Sequence, residues 1–236
     1  MIEIQRLRHE YGPTVAVNDV TVSFVGGRIV TLLGENGSGK STMIKTISGI
    51  VEPTSGTVSI GGKAVTRFTP RSLRDHGVSV CHQELLVAPN RSINENVHLG
   101  RHPLWRRSIS RADQRAQTAA ALAELGASDL DIDTPVGSHP IVVQQLVVIA
   151  RALVADAPIL VLDEPTAALG HAERQALFDV LLDRRNRGVT VILVSHRMDE
   201  VLHLSDEIVV LANGNLIGVV RRNDFDEERL LEMMVA

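Results

Sequence analysis

The chain has 236 residues, 44 % of them hydrophobic but only 3 % aromatic: four Phe, one Tyr and one Trp. That length fits one large domain or one domain with a small insert, and its core must be built from aliphatic side chains rather than rings. A net charge of −4, from 24 basic and 28 acidic residues, argues against nucleic acid or an anionic membrane as a partner bound through global charge. The scarcity of aromatics argues against a single-strand stacking platform.

The N-terminal sequence MIEIQRLRHE has no signal-peptide pattern. The single cysteine, Cys81, forms no internal disulfide, which fits a reducing compartment. No run reaches the ~18 uninterrupted apolar residues of a spanning helix. The longest apolar stretch, Ile141 to Leu162, is broken by Gln144, Gln145, Arg151 and Asp156.

Ile2 to Arg8 and Val20 to Phe24 alternate in polarity and predict antiparallel strands, joined by Thr57 to Ile60 after the turn Pro53-Thr-Ser-Gly56. Arg28 to Leu33, Ile159 to Leu162 and Val189 to Val194 are short, nearly continuous apolar runs, the pattern of parallel strands buried on both faces. Helical stretches separate them, at Lys40 to Ser48, Val143 to Ala155 and Ala172 to Arg185. This alternation predicts an α/β layered fold. Residues 92 to 138 are Ala-rich and predict a helical insert, with a helix starting at Ser110 and Asp113 in its first turn. Asn213-Gly214, between two apolar runs, predicts a hairpin. No internal repeat or low-complexity tract is present.

Gly34-Glu35-Asn36-Gly37-Ser38-Gly39-Lys40-Ser41 fits G-x-x-x-x-G-K-[ST], with a strand before it and a helix after it. Its glycines let backbone N–H groups curl around phosphate oxygens, and the helix N-terminus adds partial positive charge. Lys40 is placed to reach the β- and γ-phosphates and Ser41 to offer its hydroxyl to Mg²⁺. The strand Ile159 to Leu162 ends in Asp163-Glu164. Asp163 suits the Walker-B role of holding Mg²⁺, and Glu164 suits a general base toward the attacking water. Ser195-His196 ends a further strand, where a histidine can stabilise the γ-phosphate or serve as an ordinary polar residue. Gln83 has the same standing.

In this order the motifs resemble the ATPase subunit of ABC transporters over nearly the whole chain. GENGSGKST is similar to the Walker A loop and HQE, His82 to Glu84, to the Q-loop. ILVLDEPTAAL is similar to the Walker B and D-loop region and VSHRMDEV to the H-switch. HQEL, INENVHLGR and DEPTAAL resemble most the sugar-uptake branch (ribose, xylose or galactoside).

The resemblance implies an α/β P-loop NTPase of RecA-like type, a parallel-sheet core with an antiparallel β subdomain and a helical insert. It implies one ATPase domain over 1–236. The core spans about 1–91 and 143–220, the helical part about 92–142, and a C-terminal helix about 221–236. Tyr11 would stack on adenine, Gly34 to Thr42 would hold the phosphates of ATP, and Ser41, Gln83 and Asp163 would serve Mg²⁺. Glu164 would be the general base, with Lys40 and His196 at the γ-phosphate.

The implied partners are a membrane permease, met by the segment after Gln83, a second ATPase domain and, indirectly, a solute-binding protein. The implied location is the cytoplasmic face of the cell membrane.

One departure stands out. Where the family has L-S-G-G-Q before the helix ending IARAL, this chain has His139-Pro-Ile-Val-Val143. The Ser hydroxyl is replaced by Pro140, which donates nothing, and the exposed Gly by Val142, whose branched side chain crowds the position. Gly170 likewise stands where many relatives have Asp. The expected second ATPase domain is therefore a non-identical one with an intact signature. Competing readings are a catalytically weak nucleotide-binding half, a soluble ABC-type ATPase acting on ribosomes or DNA, and a small-molecule P-loop kinase. Arg101 to Arg107 around Trp105 predicts a solvated face or a permease-docking patch. His98 and His102 have a metal-like spacing but no evident third ligand.

Overall fold

The computed structural model describes residues 1–100 and 109–235. His102 and the segment from Arg101 to Arg107, including Trp105, lie outside them.

Strand β1 (Ile2–Tyr11) pairs antiparallel with β2 (Thr14–Phe24) across the two-residue turn Gly12-Pro13, both strands running further than the sequence pattern suggested. β3 (Ile29–Leu33) leads into the loop ahead of α1 (Lys40–Ile47). Next come β4 (Ser55–Ile60) and the short β5 (Lys63–Ala64), joined by Gly61-Gly62, both at positive φ. α2 (Pro70–Asp75) opens on Thr69, whose hydroxyl accepts from the Ser72 N–H, an N-cap that satisfies a helix-end donor. β6 (Val78–Cys81) follows.

Then come α3 (Ile93–Val97), α4 (Arg111–Glu124) and α5 (Ile141–Val154). Ser92 and Glu95 close a reciprocal capping box on α3, and Ser110 caps α4 as its sequence predicted. The chain continues through β7 (Ile159–Asp163), α6 (His171–Asn186), β8 (Thr190–Val194) and α7 (Met198–Leu204). It ends with β9 (Glu207–Ala212), β10 (Asn215–Arg221) and α8 (Glu227–Met234).

The described residues form two compact units. One comprises residues 1–80, 158–164 and 182–235, the other residues 81–100, 109–157 and 165–181. In the first, one sheet has the order β2-β1-β4-β5 and is antiparallel. The other has the order β10-β9-β3-β8-β7-β6. There β3 runs parallel to both β8 and β9, β7 runs parallel to β8, and β10 closes on β9 antiparallel. Asn213 and Gly214, both at positive φ, make the two-residue hairpin their sequence demands.

β3, β7, β8 and β9 are buried at every position. One core joins Ile2, Phe24 and Val58 of the antiparallel sheet to Val30, Val161, Ile192 and Val209 of the parallel one, with Met43 and Ile44 of α1 among them. A second cluster packs Leu33, Ile208 and Val210 against Val201 of α7 and Leu230 of α8.

In the second unit α5 packs on α3 and α4. Its burial continues around the helix, from Gln145 to Ala150, so periodicity could not tell which neighbour covers it. Asn96 is fully buried there. Its side-chain oxygen accepts from the Ala88 N–H, and its amide nitrogen lies 3.0–3.1 Å from the carbonyl oxygens of Ala88, Arg91 and Ser92. Arg151 of α5 donates to the Asn96 and Leu86 carbonyls, so residues 86–96 are tied to the helices.

Candidate functional site

The loop between β3 and α1 is shaped by glycine. Gly34 has φ +155°, and a Cβ there would sit 2.2 Å from the Leu211 carbonyl oxygen. Gly39, the N-cap of α1, has φ +102°, and a Cβ would sit 2.6 Å from the Ala16 oxygen. No side chain caps α1, and its first helical bond runs from the Met43 N–H to Gly39. The N–H groups ahead of Met43 therefore have no partner inside the helix, and the dipole end is left as an anion cradle.

Lys40 is buried. Its Nζ donates to the Gly34 and Glu35 carbonyls at 2.7 and 2.8 Å, with Ser38 Oγ at 3.5 Å. Burial lowers its pKa, opposed by the charges of Glu164, Asp163 and Glu35. Ser41 and Asn36 are exposed and Thr42 is buried. A cation held by main-chain oxygens over an uncapped helix end fits a polyphosphate: phosphate oxygens offer the ammonium stronger acceptors than peptide carbonyls.

Asp163 closes β7 in a nearly buried position. Burial raises its pKa and the neighbouring Glu164 raises it further, while Lys40 and Lys45 pull it down. Glu164 has φ +48°, a left-handed conformation that costs a non-glycine residue about 1–2 kcal/mol. Its N–H donates to the Val194 carbonyl, which ties the bend to the end of β8. There His196 Nδ1 lies 3.3 Å from Glu164 Oε1, with the His196 side chain 64 % exposed and that of Glu164 20 %.

The turn carrying His196 is held from beneath by Glu200, a fully buried carboxylate that the sequence reading did not single out. Ser195 Oγ donates to Glu200 Oε2 at 2.8 Å, and Arg197 Nε lies 3.1 Å from Glu200 Oε1. The Arg197 N–H in turn donates to Ser195 Oγ. The signal was faint: one acid among several in Met198-Asp-Glu-Val201.

The first unit thus gathers residues 34–42, Asp163, Glu164 and His196. Tyr11, at the end of β1, is half exposed and sets its ring edgewise to His9, centroids 4.5 Å apart. Gln83 is exposed in the second unit, two residues beyond β6. His98 is buried there, its Nε2 near the Gln114 oxygen and Thr118 Oγ1. No group of three or more His, Cys, Asp or Glu suited to a metal ion occurs among the described residues. A hydroxyl and one carboxylate beside a phosphate cradle suit Mg²⁺, which takes few protein ligands and completes its shell with phosphate and water.

Residues 17–167 match the family model described as "ABC transporter". The chain belongs to the ABC transporter family.

All of the chain is 38 % identical to a ribose import ATP-binding protein, RbsA, of Corynebacterium glutamicum, covering 44 % of that protein. It is 37 % identical to RbsA of Geobacillus kaustophilus, again over all of the chain and 48 % of the relative. A putative ribose/galactose/methyl galactoside import ATP-binding protein of Pseudomonas syringae pv. tomato is 35 % identical over all of the chain and 45 % of its own length. The chain thus spans less than half the length of these relatives.

Among solved structures, the ADP conformation of MJ1267, an ATP-binding cassette of an ABC transporter, superposes with a TM-score of 0.84 at 25 % identity. That match covers 99 % of this chain and 97 % of the other. The dimeric post-hydrolysis cassette MJ0796, bound to ADP and Pi, shares the fold: TM-score 0.86, 24 % identity, 95 % and 100 % coverage. The fold is that of an ABC cassette, a P-loop NTPase with parallel and antiparallel sheets.

At the position of the ABC signature, His139 Nε2 lies 2.7 Å from Thr134 Oγ1, and the His139 carbonyl accepts from the Gln144 side chain. Pro140 is the N-cap of α5, its extended ψ of 156° placing it just outside the helix. No side chain caps this end, and Ile141 projects to solvent.

Proposed function

We propose that this chain is an ATP-binding and ATP-hydrolysing domain that powers uptake of a small sugar through a membrane permease, from the cytoplasmic face. The observation carrying this reading is Lys40 folded over the uncapped start of α1, with Asp163 and Glu164 in its electrostatic field. The names of the sugar-import relatives support the choice of solute class. No helix among the described residues is long and apolar enough to cross a membrane.

Residues Gly34 to Thr42 hold the phosphates through backbone N–H groups, and Lys40 exchanges its peptide carbonyls for the β- and γ-oxygens. Tyr11 offers its exposed ring to adenine. Ser41 and Asp163 would hold Mg²⁺, and the bound ion would supply charge neutralisation at the phosphates. Burial and the neighbouring Glu164 raise the pKa of Asp163, and the charges of Lys40 and Lys45 oppose that rise. Glu164, turned out of the strand by its left-handed backbone, takes the proton of the attacking water. His196 donates from its exposed ring toward the γ-phosphate, and its other face leans on Glu164.

The His139–Val143 loop offers no hydroxyl at Pro140 and a branched side chain at Val142. A nucleotide held at the phosphate loop of this chain is therefore completed by a non-identical ATPase domain with an intact signature. The test is ATP binding and turnover by the purified chain, with Glu164→Gln as control. The expected result is micromolar-range ATP binding lost in Lys40→Ala, with little turnover until a signature-bearing partner is added. Absence of ATP binding overturns the whole reading. Robust Glu164-dependent turnover by the chain alone overturns the need for a non-identical partner.

A further inference from the structure

The N-terminal edge of the parallel sheet carries a charged cavity that the nucleotide reading leaves unused. An open depression of about 470 Å³, it is lined by Arg28, Arg185, Arg221 and Arg222 with Asn186, Asn223 and Asp206. Four separate segments supply this wall: the β2–β3 connection, the last turn of α6, Asp206 just before β9, and the chain from the end of β10 to Asn223. Gly27, at φ +70°, adds wall without a side chain.

Two carboxylates answer the four guanidiniums. Asp206 pairs with Arg185 at 3.0 Å, and Glu207 pairs with Arg28 and lies 3.7 Å from Arg221. Arg222 is held differently, donating to the main-chain carbonyls of Ser205 and His203. These contacts fix the planar fork but neutralise no charge. The wall keeps a surplus of two positive charges in a chain whose net charge is −4. Arginine forks match phosphate oxygens in pairs, and the two asparagine amides add neutral donors and acceptors. Arg28 precedes β3 and the phosphate loop follows it, so the length of the strand, about 16 Å at ~3.3 Å per residue, separates the two places.

We infer that this cavity is a second anion site, shaped for a small phosphate dianion such as a phosphomonoester and distinct from the nucleotide loop. The charge surplus equals that of a phosphomonoester above its second pKa of about 6. Arg221 is the residue to probe, since its side chain is 77 % exposed and its one ion pair is long, so its loss disturbs little of the fold.

The experiment is calorimetric titration of the Lys40→Ala chain, which silences the nucleotide loop, with inorganic phosphate, glucose 6-phosphate and glucose. We expect saturable phosphate or glucose 6-phosphate binding with Kd near or below about 1 mM, and none for glucose. Arg221→Ala should weaken it about tenfold, the loss of one charge-assisted hydrogen bond, and Arg221→Glu should abolish it. Arg221→Ala in the otherwise unaltered chain should leave ATP affinity within about twofold, the range of a surface change away from the loop. Tighter binding of glucose 6-phosphate assigns a phosphomonoester, and tighter binding of inorganic phosphate assigns the free ion. Absence of saturation, or equal affinity in the Arg221 variants, overturns the site.

Discussion

Replacing Glu200 by Ala tests whether the turn carrying His196 is held by a buried carboxylate. Glu200 is fully buried, accepts the Ser195 hydroxyl at 2.8 Å and has Arg197 Nε as an ion-pair partner 3.1 Å from its Oε1. A hydrogen bond to a charged group contributes about 1.5–3 kcal/mol. The Arg197 pair adds less than about 1 kcal/mol, because that side chain is 44 % exposed and turns readily to water. The expected loss is about 2–3 kcal/mol, a fall in Tm of about 4–12 °C for a domain of this size. Glu200→Gln keeps shape and acceptor and should lose about 1 kcal/mol or less. Thermal unfolding of both variants measures the difference. ATP titration and turnover with a signature-bearing partner then separate affinity, expected to hold, from kcat, expected to fall with His196 unanchored. A Glu200→Ala chain within about 0.5 kcal/mol of the parent, or equal damage from both substitutions, refutes the clamp.

Gly34→Ala places a Cβ 2.2 Å from the Leu211 oxygen at φ +155°. It should lose ATP binding in a nucleotide titration and about 1–3 kcal/mol of stability in denaturant unfolding. Asn96→Ala breaks the hub holding residues 86–96. A loss of about 2–4 kcal/mol and faster proteolysis within that segment are expected, with ATP affinity retained.

Burial, opposed by Glu84, depresses the pKa of His82 below 6.5. Between that depressed value and 6.5 the unfolded chain binds more protons, so stability rises with pH there and falls as pH drops through the folded value. Removing the imidazole in His82→Asn should flatten that slope in unfolding measured from pH 7 downward.

Local signals carried a large share of the fold. The glycines of residues 34–39, the uninterrupted apolar runs of β3, β7 and β8, the Ser110 cap and the Asn213-Gly214 turn were all legible. Each depends on backbone conformation or burial within a few residues. The phosphate loop was legible for the same reason, since its conformation and its chemistry lie in one contiguous stretch.

Other features had no such signature. Periodicity did not show that α5 packs on α3 and α4, because a helix buried on several faces does not name its neighbour. Nor did it mark Asn96 or Glu200, each one polar residue among many until burial makes its hydrogen bonds obligatory.

The sequence by itself determined which segments become strands, helices and a phosphate-cradling turn, because those follow from short-range sterics and polarity. Tertiary structure alone decided that β3 lies between β8 and β9 and that His196 leans on Glu164 across the chain. It also decided that arginines from three distant segments share one pocket. Those outcomes rest on which buried surfaces meet, a long-range choice that no local pattern encodes.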